Sequence, residues 1–241
     1  MSVGTAVDTQ IVAMGGGGFS MEPDNPALDH FVLSLARRET PSICFLATAS
    51  GDAASYIDSF YAAFRRLPCR PTHVPLFART PDLETVLLAQ DVIYVGGGNT
   101  RSMLAVWRDW GIPALLRTAW QQGTVLAGVS AGAICWFETG VTDSAADALH
   151  PLPCLGFLPG ACCPHYDSEA ERRPALHRLI RSGAIGTALA LDDGAAAHFV
   201  NGTRANIVSS RPRVRAYRVD RVDGEIRETV LNPDDADQAG P

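Results

Sequence analysis

The sequence lacks the features that mark several large classes of protein. It has no stripe of basic residues, and its formal net charge of −6 and pI of about 5.5 do not fit a nucleic-acid binder. No apolar run approaches the ~20 residues of a membrane span, and Met1–Gln10 has no basic region before an apolar core, as a secretory signal would. We therefore expect a cytoplasmic protein, with no nucleic-acid or membrane partner, that acts on a small molecule or a peptide.

Motifs for metals and cofactors are also missing. The six cysteines, none in Cys-x-x-Cys spacing, are Cys44, Cys69, Cys135, Cys154, Cys162 and Cys163. Such spacing favours reduced thiols over a disulfide framework or a metal site. Two glycine-rich stretches, Gly15–Gly18 and Gly96–Gly98, begin the dinucleotide pattern Gly-x-Gly-x-x-Gly, but Ser20 and Arg101 stand at its last position. We therefore expect neither a metal nor a cofactor.

The sequence does contain a regular alternation of strand and helix patterns. The strand candidates are Ile11–Met14, Ser42–Ala47, Thr72–Phe77, Asp91–Val95, Val125–Val129 and Thr187–Leu191, and the helix candidates are Pro26–Arg38, Asp52–Leu67, Pro81–Gln90 with Thr80 as its N-cap, Thr100–Trp110, Pro113–Gln122 and Ser168–Ser182. This order predicts a three-layer α/β sandwich with a parallel sheet. Asn201-Gly202 and Asp223-Gly224 favour type I′ turns, which predict C-terminal β-hairpins.

One segment does not fit the alternation. Thr142–Pro164 has little periodicity and is rich in proline, so we expect irregular chain that carries His165 to the carboxyl edge of the sheet. With 241 residues, of which 46% are hydrophobic, the chain suits a single domain over residues 1–241. Within that domain we expect about residues 1–8 and 232–241 to be flexible.

A serine lies at the turn between a strand candidate and a helix-compatible stretch. Val125–Val129 leads into the pentapeptide Gly128-Val-Ser-Ala-Gly132, and Gly-x-Ser-x-Gly in this setting is typical of a nucleophile elbow. The turn strains the backbone of its central residue, so only small neighbours leave room for it. Ser130 is therefore the candidate nucleophile, and a merely tight turn is the alternative.

A serine nucleophile requires a base within hydrogen-bond distance and an acid that orients the base. Five of the six histidines lie in helical patterns or lack a companion motif, namely His30, His73, His150, His177 and His198. His165 differs, because the rigid Pro164 precedes it in a loop just before a helix candidate. We therefore predict His165 as the base.

Stabilising a tetrahedral oxyanion requires two backbone N–H donors. The amide of Ala131, next to the candidate nucleophile, is the first. Gly96–Gly98 is expected at the same sheet edge, and residues without a Cβ let backbone amides approach a ligand closely. This stretch is therefore the candidate source of the second donor, with a phosphate cradle or a plain tight turn as the alternatives.

Four motifs occur together in a fixed order. They are Gly96-Gly-Gly-Asn-Thr100, Gly128-Val-Ser-Ala-Gly-Ala133, Pro164-His-Tyr166 and Leu191-Asp-Asp-Gly194. From about Ile11 to about Val219 the chain thereby resembles the peptidase E family of serine peptidases, relatives of cyanophycinase with a fold like that of class I glutamine amidotransferases. The resemblance implies these roles: Ser130 as nucleophile, His165 as base, Asp193 as orienting acid, the amides of Gly98 and Ala131 as oxyanion hole, and Asn99 in the substrate site.

Several acids compete for the orienting role. The family places a glutamate or aspartate directly before a glycine at the end of a late strand, and Asp193 matches that place. Asp192 is its adjacent rival, and Glu138 and Asp143 downstream of the elbow are weaker ones. Judged from the residues alone, the Asp-Asp-Gly sequence is an ordinary turn.

The sequence departs from the best-known family members after the histidine. Those members cleave dipeptides that begin with aspartate, and an arginine within Glu-Thr-Arg-Glu meets the substrate carboxylate. Here the stretch is Ser168-Glu-Ala-Glu-Arg-Arg173. If the helix begins near Ser168, Arg172 and Arg173 fall one turn, ~5.4 Å, later than the family's arginine. Arg101 is a candidate to replace the family's arginine from the opposite side of the substrate site.

The resemblance implies a serine hydrolase that works through an acyl-enzyme on small peptides, with an N-terminal aspartate as one candidate feature of its substrates. The alternative is a catalytically weak homologue that binds a small acidic peptide or metabolite. A glutamine amidotransferase is disfavoured, because Ser130 stands where that class needs a cysteine. We expect a monomer or a homodimer.

Overall fold

The structure is a computed structural model that describes residues 7–145 and 148–232. Residues 1–6 and 233–241, which the sequence predicts to be flexible, lie outside these ranges. Within the described ranges the strands are β1 (Gln10–Met14), β2 (Ser42–Leu46), β3 (Arg70–His73), β4 (Val92–Val95), β5 (Val125–Val129), β6 (Phe137–Thr142), β7 (His150–Pro153), β8 (Leu158–Cys163), β9 (Ala188–Leu191), β10 (Ala195–Val200), β11 (Thr203–Ser209), β12 (Ala216–Val222) and β13 (Glu225–Leu231). The α-helices are α1 (Ala27–Ser34), α2 (Ala54–Phe64), α3 (Leu83–Leu88), α4 (Thr100–Asp109), α5 (Ile112–Gln121), α6 (Ala131–Ile134) and α7 (Arg172–Arg181).

The first sheet is mainly parallel and has seven strands in the order β11-β10-β1-β5-β4-β2-β3. The strands β1, β5, β4, β2 and β3 pair in parallel, whereas β10 pairs antiparallel with both β1 and β11. The carboxyl ends of β1, β4 and β5 therefore lie at one edge, where ligands bind in sheets of this kind.

Side chains of the first sheet alternate between two apolar layers. Ile11 and Ala13 of β1 pack with α3, α4 and α5, whereas Val12 and Met14 pack with α1 and α2. Because both faces are buried there, the central strands β1, β5, β4 and β2 are almost wholly apolar, as the sequence indicates. The predicted three-layer α/β sandwich is confirmed.

A second sheet has six strands in the order β13-β12-β9-β8-β6-β7. This sheet packs against α6, and helix α7 covers it. The prediction of irregular chain over Thr142–Pro164 was therefore wrong, because β7 and β8 lie within it. The prolines in these strands explain why they were not predicted. Pro151 and Pro153 lie on the edge strand β7, and Pro159 lies at a bulge, where β8 has one more residue than β6. Edges and bulges are the places where a sheet tolerates proline.

Other boundaries also differ from the sequence prediction. β3 begins at Arg70 and ends at His73, so it lies earlier than predicted. Helix α3 has Asp82 as its N-cap and not Thr80. Helix α7 begins at Arg172, because Ser168 to Glu171 form turns ahead of it. The expectation that Arg172 falls one turn later than the family's arginine assumed a helix that begins near Ser168. Helix α7 does not begin there, so that assumption does not hold.

Both predicted hairpins are present. Asn201 and Gly202 connect β10 to β11 with φ angles of 52° and 79°, and Asp223 and Gly224 connect β12 to β13 with φ angles of 51° and 88°. Positive φ at both central residues is what a type I′ turn requires. Within the described residues, no helix combines the length and the apolar character needed to cross a membrane.

Candidate active site

Ser130 lies at the turn between β5 and α6 with φ 57° and ψ −114°. A positive φ is uncommon for a residue other than glycine. The Ser130 backbone N–H donates to the Met14 carbonyl oxygen at 3.0 Å, which ties the turn to the end of β1. Ser130 therefore stands at the carboxyl edge of the first sheet in the strained conformation expected of an elbow.

The two glycines around the serine are sterically required. A Cβ on Gly128 would overlap the carbonyl of Gly132, and a Cβ on Gly132 would overlap the carbonyl of Val95. The start of α6 thus packs directly on the backbones of β4 and β5. This close packing gives the Gly-x-Ser-x-Gly pattern a physical reason in this chain.

His165 and Asp193 continue a line of hydrogen bonds from Ser130. His165 follows β8 with a φ of 53°, and its Nε2 lies 2.8 Å from Ser130 Oγ. Its Nδ1 lies 2.6 Å from Asp193 Oδ1. Because a carboxylate only accepts, Nδ1 carries the proton and Nε2 is the acceptor for the serine hydroxyl. The side chains of His165 and Asp193 are only 12% and 10% exposed.

The Asp193 carboxyl is held in its ionised form. Burial raises its pKa, but hydrogen bonds from His165 and Ser168 and the positive charge of Arg211 outweigh burial, so the pKa lies below its ordinary value. The Asp193 backbone N–H donates to Asp167 Oδ1 at 2.8 Å. The carboxylate therefore remains a hydrogen-bond acceptor for His165 throughout the neutral pH range.

Asp192 faces the other way. Its Oδ2 accepts the backbone N–H of Arg215 at 3.0 Å, and its own N–H donates to the Arg215 carbonyl at 3.1 Å, so it links the end of β9 to the start of β12. Burial and the nearby Asp167 carboxylate raise its pKa to about 6. The structure therefore places Asp193, and not Asp192, against the imidazole.

The two more distant acids lie away from His165. Glu138 is exposed, and its Oε2 accepts the Gly160 N–H at 2.9 Å. Asp143 pairs with Arg172 at 3.7 Å. Among residues 7–145 and 148–232, no group of three or more His, Cys, Asp or Glu side chains could hold a metal ion.

The Gly15–Gly18 loop makes room for the acid. A Cβ on Gly16 would overlap Asp193 Oδ1, and a Cβ on Gly15 would overlap the carbonyl of Asp192. Gly16 also forms a parallel bridge with Asp193. Sequence analysis compared this loop only with the dinucleotide pattern and missed its packing role. The signal was present in the run of four glycines that ends a buried strand.

The Gly96–Gly98 loop lies beside the serine. A Cβ added to Gly97 would lie 3.3 Å from Ser130 Cβ. The amides of Gly98 and Ala131 donate to no acceptor within the described part of the chain. The structure thus leaves both predicted donors available at the edge where Ser130 stands, and their oxyanion role stays a prediction.

Asn99 is the N-cap of α4. Its Oδ1 accepts the Ser102 N–H at 2.9 Å, and its Nδ2 donates to the Ser144 carbonyl at 3.2 Å. These bonds fix the exposed Asn99 side chain between α4 and the segment that follows β6. Its predicted place in the substrate site stays a prediction.

Arg172 and Arg173 are both held by acids. Arg172 is buried and donates to Glu169 Oε2 at 2.7 Å and to the Val141 carbonyl at 3.0 Å. Arg173 pairs with Glu228 at 2.9 Å. Both guanidinium groups are thus bound to other parts of the fold, whereas Arg101 is exposed at the start of α4.

We expect Gly16→Ala to push the Asp193 carboxylate away from His165. The added methyl group should cost ~1–3 kcal/mol of unfolding free energy by overpacking, and it should abolish the downfield proton NMR signal of His165 Nδ1–H. Asp193→Asn assigns that signal. Gly186→Ala is the matched control, because a Cβ at Gly186 meets no atom within 4 Å. An unchanged signal in Gly16→Ala would contradict the packing described above.

Comparison with known proteins identifies the family. The model of peptidase family S51 matches residues 11–208. The chain is 55% identical to the uncharacterized peptidase YgaJ of Bacillus subtilis (strain 168) over 223 residues, which cover 92% of this chain and 96% of the relative.

Two solved structures share the fold. One is a peptidase from an acI-B1 Actinobacterium, with a TM-score of 0.72 and 17% identity over 96% of this chain and 97% of that one. The other is a candidate peptidase E protein from Listeria monocytogenes EGD-e, with a TM-score of 0.61 and 16% identity over 94% and 100%. The predicted resemblance to peptidase E is thereby confirmed, and the chain belongs to peptidase family S51, as a serine-type peptidase.

Proposed function

We propose that this peptidase hydrolyses small peptides through an acyl-enzyme on Ser130, with His165 as general base and Asp193 as the acid that orients it. The observation that carries the proposal is the unbroken line of hydrogen bonds, 2.6 Å from Asp193 to His165 and 2.8 Å from His165 to Ser130. Nucleophile and base in contact, with the base oriented by a third group, are the requirements for an activated serine.

In the first half of the reaction, Ser130 Oγ attacks the peptide carbonyl carbon and its proton passes to His165 Nε2. The amides of Gly98 and Ala131 stabilise the oxyanion that forms. His165 then gives the proton to the leaving amine, and the C–N bond breaks. Because the Asp193 carboxylate is ionised, it stabilises the imidazolium during these steps.

In the second half, a water molecule takes the place of the departed amine. His165 accepts a proton from this water as it attacks the ester carbonyl carbon, and the same two amides stabilise the second oxyanion. The proton returns to Ser130 Oγ as the ester C–O bond breaks. The carboxylic acid product leaves, and the serine hydroxyl is restored.

For the substrate, we propose a small peptide without a strong requirement for N-terminal aspartate. Selecting a small carboxylate in water takes a fixed cation, for which a bidentate arginine is the usual device. Arg172 and Arg173 are already bound to Glu169 and Glu228. Arg101 is the remaining candidate that the sequence analysis named, and it lies two residues after Asn99.

We expect a fluorophosphonate probe to label the wild-type protein and not Ser130→Ala, because only a base-activated hydroxyl attacks such an electrophile. Mass spectrometry of the labelled peptide identifies the site. Ser59→Ala, an exposed serine on α2, and Cys135→Ala should label like the wild type. Equal labelling of wild type and Ser130→Ala would remove the nucleophile assignment and favour a catalytically weak binder.

Asp193→Asn should slow labelling by up to ~10⁴-fold, since the imidazole loses the partner that sets its tautomer. His165→Ala should resemble Ser130→Ala, because residues of one catalytic unit do not act additively. Asp192→Asn is the matched control and should be milder, since Asp192 contacts Arg215 and not His165. If Asp192→Asn slows labelling strongly while Asp193→Asn labels like the wild type, the orienting acid has been assigned to the wrong residue.

We expect Asp-Leu to be cleaved with little preference over Asn-Leu and Ala-Leu. Arg172 and Arg173 already bind Glu169 and Glu228, so neither is held in place for a substrate carboxylate. Any aspartate preference should disappear in Arg101→Gln and persist in the control Arg108→Gln. Measured kcat/KM values check this. Strong aspartate-selective cleavage that is lost in Ser130→Ala but kept in Arg101→Gln would overturn our interpretation of the arginines.

A further inference from the structure

A tyrosine links the Gly96–Gly98 loop to the residues that directly follow Gly15–Gly18. Tyr56 lies in the first turn of α2, and its hydroxyl oxygen accepts the backbone N–H of Gly97 at 3.1 Å. Gly97 is the residue directly before Gly98 and lies beside Ser130. The tyrosine hydroxyl therefore acts on the backbone of the loop that carries a predicted oxyanion donor, without being part of that loop.

Packing holds the ring of Tyr56 in place. The ring stacks on Phe19, with centroids 5.5 Å apart, and meets the edge of Phe45 at 5.1 Å. Phe19 directly follows the Gly15–Gly18 loop. A Cβ on Gly96 would lie 2.8 Å from Tyr56 Cε1, so the ring presses on the bare backbone of the second loop. Tyr56 is thus held between Phe19, which follows the first loop, and the backbone of the second loop, and has little freedom to move.

The hydroxyl of Tyr56 stays in a form that can accept this bond. Burial raises the pKa of Tyr56, while the Gly97 N–H and the Ser20 hydroxyl act in the opposite direction. Ser20 Oγ in turn donates to the Gly17 carbonyl at 3.1 Å. The neutral phenol oxygen therefore has a defined partner in the Gly97 N–H, and Ser20, which follows the first loop, lies close to it.

The loop is held on its other side as well. The Asn99 N–H donates to the Ala49 carbonyl at 2.8 Å. Two amides, of Gly97 and Asn99, are thus held by acceptors from outside the loop. The amide between them, of Gly98, donates to no acceptor within the described residues. Gly98 has a φ of 134°, a conformation that glycine allows, so the loop can turn this middle amide away from its neighbours.

We propose that Tyr56 is a positioning residue that holds the Gly96–Gly98 loop so that the Gly98 N–H meets the oxyanion formed at Ser130. This inference rests on the function proposed above. In this role Tyr56 acts through the Gly97 amide and not directly on the substrate or the reacting atoms. Fixing a donor before the reaction avoids the cost of reorganising it in the transition state.

Tyr56→Phe tests the proposal, because it removes the hydroxyl and keeps the ring between Phe19 and Phe45. Tyr61→Phe is the matched control: Tyr61 lies on the same helix, and its hydroxyl bonds His73 Nδ1 at 2.8 Å. Saturation kinetics with a fluorophosphonate separate the binding constant KI from the bond-forming rate constant kinact. Loss of one positioning bond of ~1 kcal/mol corresponds to a fall of about fivefold in kinact.

We expect kinact to fall by this factor in Tyr56→Phe, with KI and the melting temperature like those of Tyr61→Phe. If Tyr56→Phe and Tyr61→Phe have the same kinact, whether lowered or not, Tyr56 does not have the proposed role. Failure of the proposed function has a different signature: Ser130→Ala would then label as fast as the wild type. The two ideas can therefore fail separately.

Discussion

The whole site depends on how closely three backbone segments approach one another at the carboxyl edge of the first sheet. The start of α6 lies against β4 and β5 so tightly that Gly128 and Gly132 have no room for a Cβ. Ser130 at this contact has a φ of 57°, a strained conformation that persists only where the surrounding structure fixes it. The same edge brings the loops that end β1 and β4 next to the serine. Steric exclusion, and not a particular polar contact, thus sets the starting geometry.

The hydrogen-bonded line crosses from one sheet to the other. Ser130 belongs to the first sheet, whereas His165 follows β8 and Asp193 follows β9 of the second sheet. The apolar layer that the two sheets share includes Ile134 of α6 and Cys162 of β8. The distance from the serine to the imidazole is therefore a property of how two sheets pack, and no local sequence pattern encodes it. The bridge between Gly16 and Asp193 joins the sheets a second time.

Much of this could be predicted from local signals, and the failures have physical reasons. Alternating apolar runs predicted the first sheet, Asn-Gly and Asp-Gly predicted the hairpins, and the Ser130, His165 and Asp193 side chains that the structure aligns were named from motifs. The strands β7 and β8 were missed because proline on an edge and at a bulge imitates a loop. The burial of Arg172 depends on partners that are distant in sequence, such as Val141 and Asp143. The catalytic roles of these three side chains stay predictions.

Two of the aligned residues share an unusual backbone. Ser130 and His165 have φ angles of 57° and 53°, in the left-handed region that costs roughly 1–2 kcal/mol for a residue with a side chain. Both costs fall on the same few ångströms of the molecule, and the surrounding core has to offset them. The site thus lowers the free energy of unfolding of the protein. Glycine at either position would relieve the backbone while removing the chemistry, so in this chain selection for function and selection for stability oppose each other at these two residues.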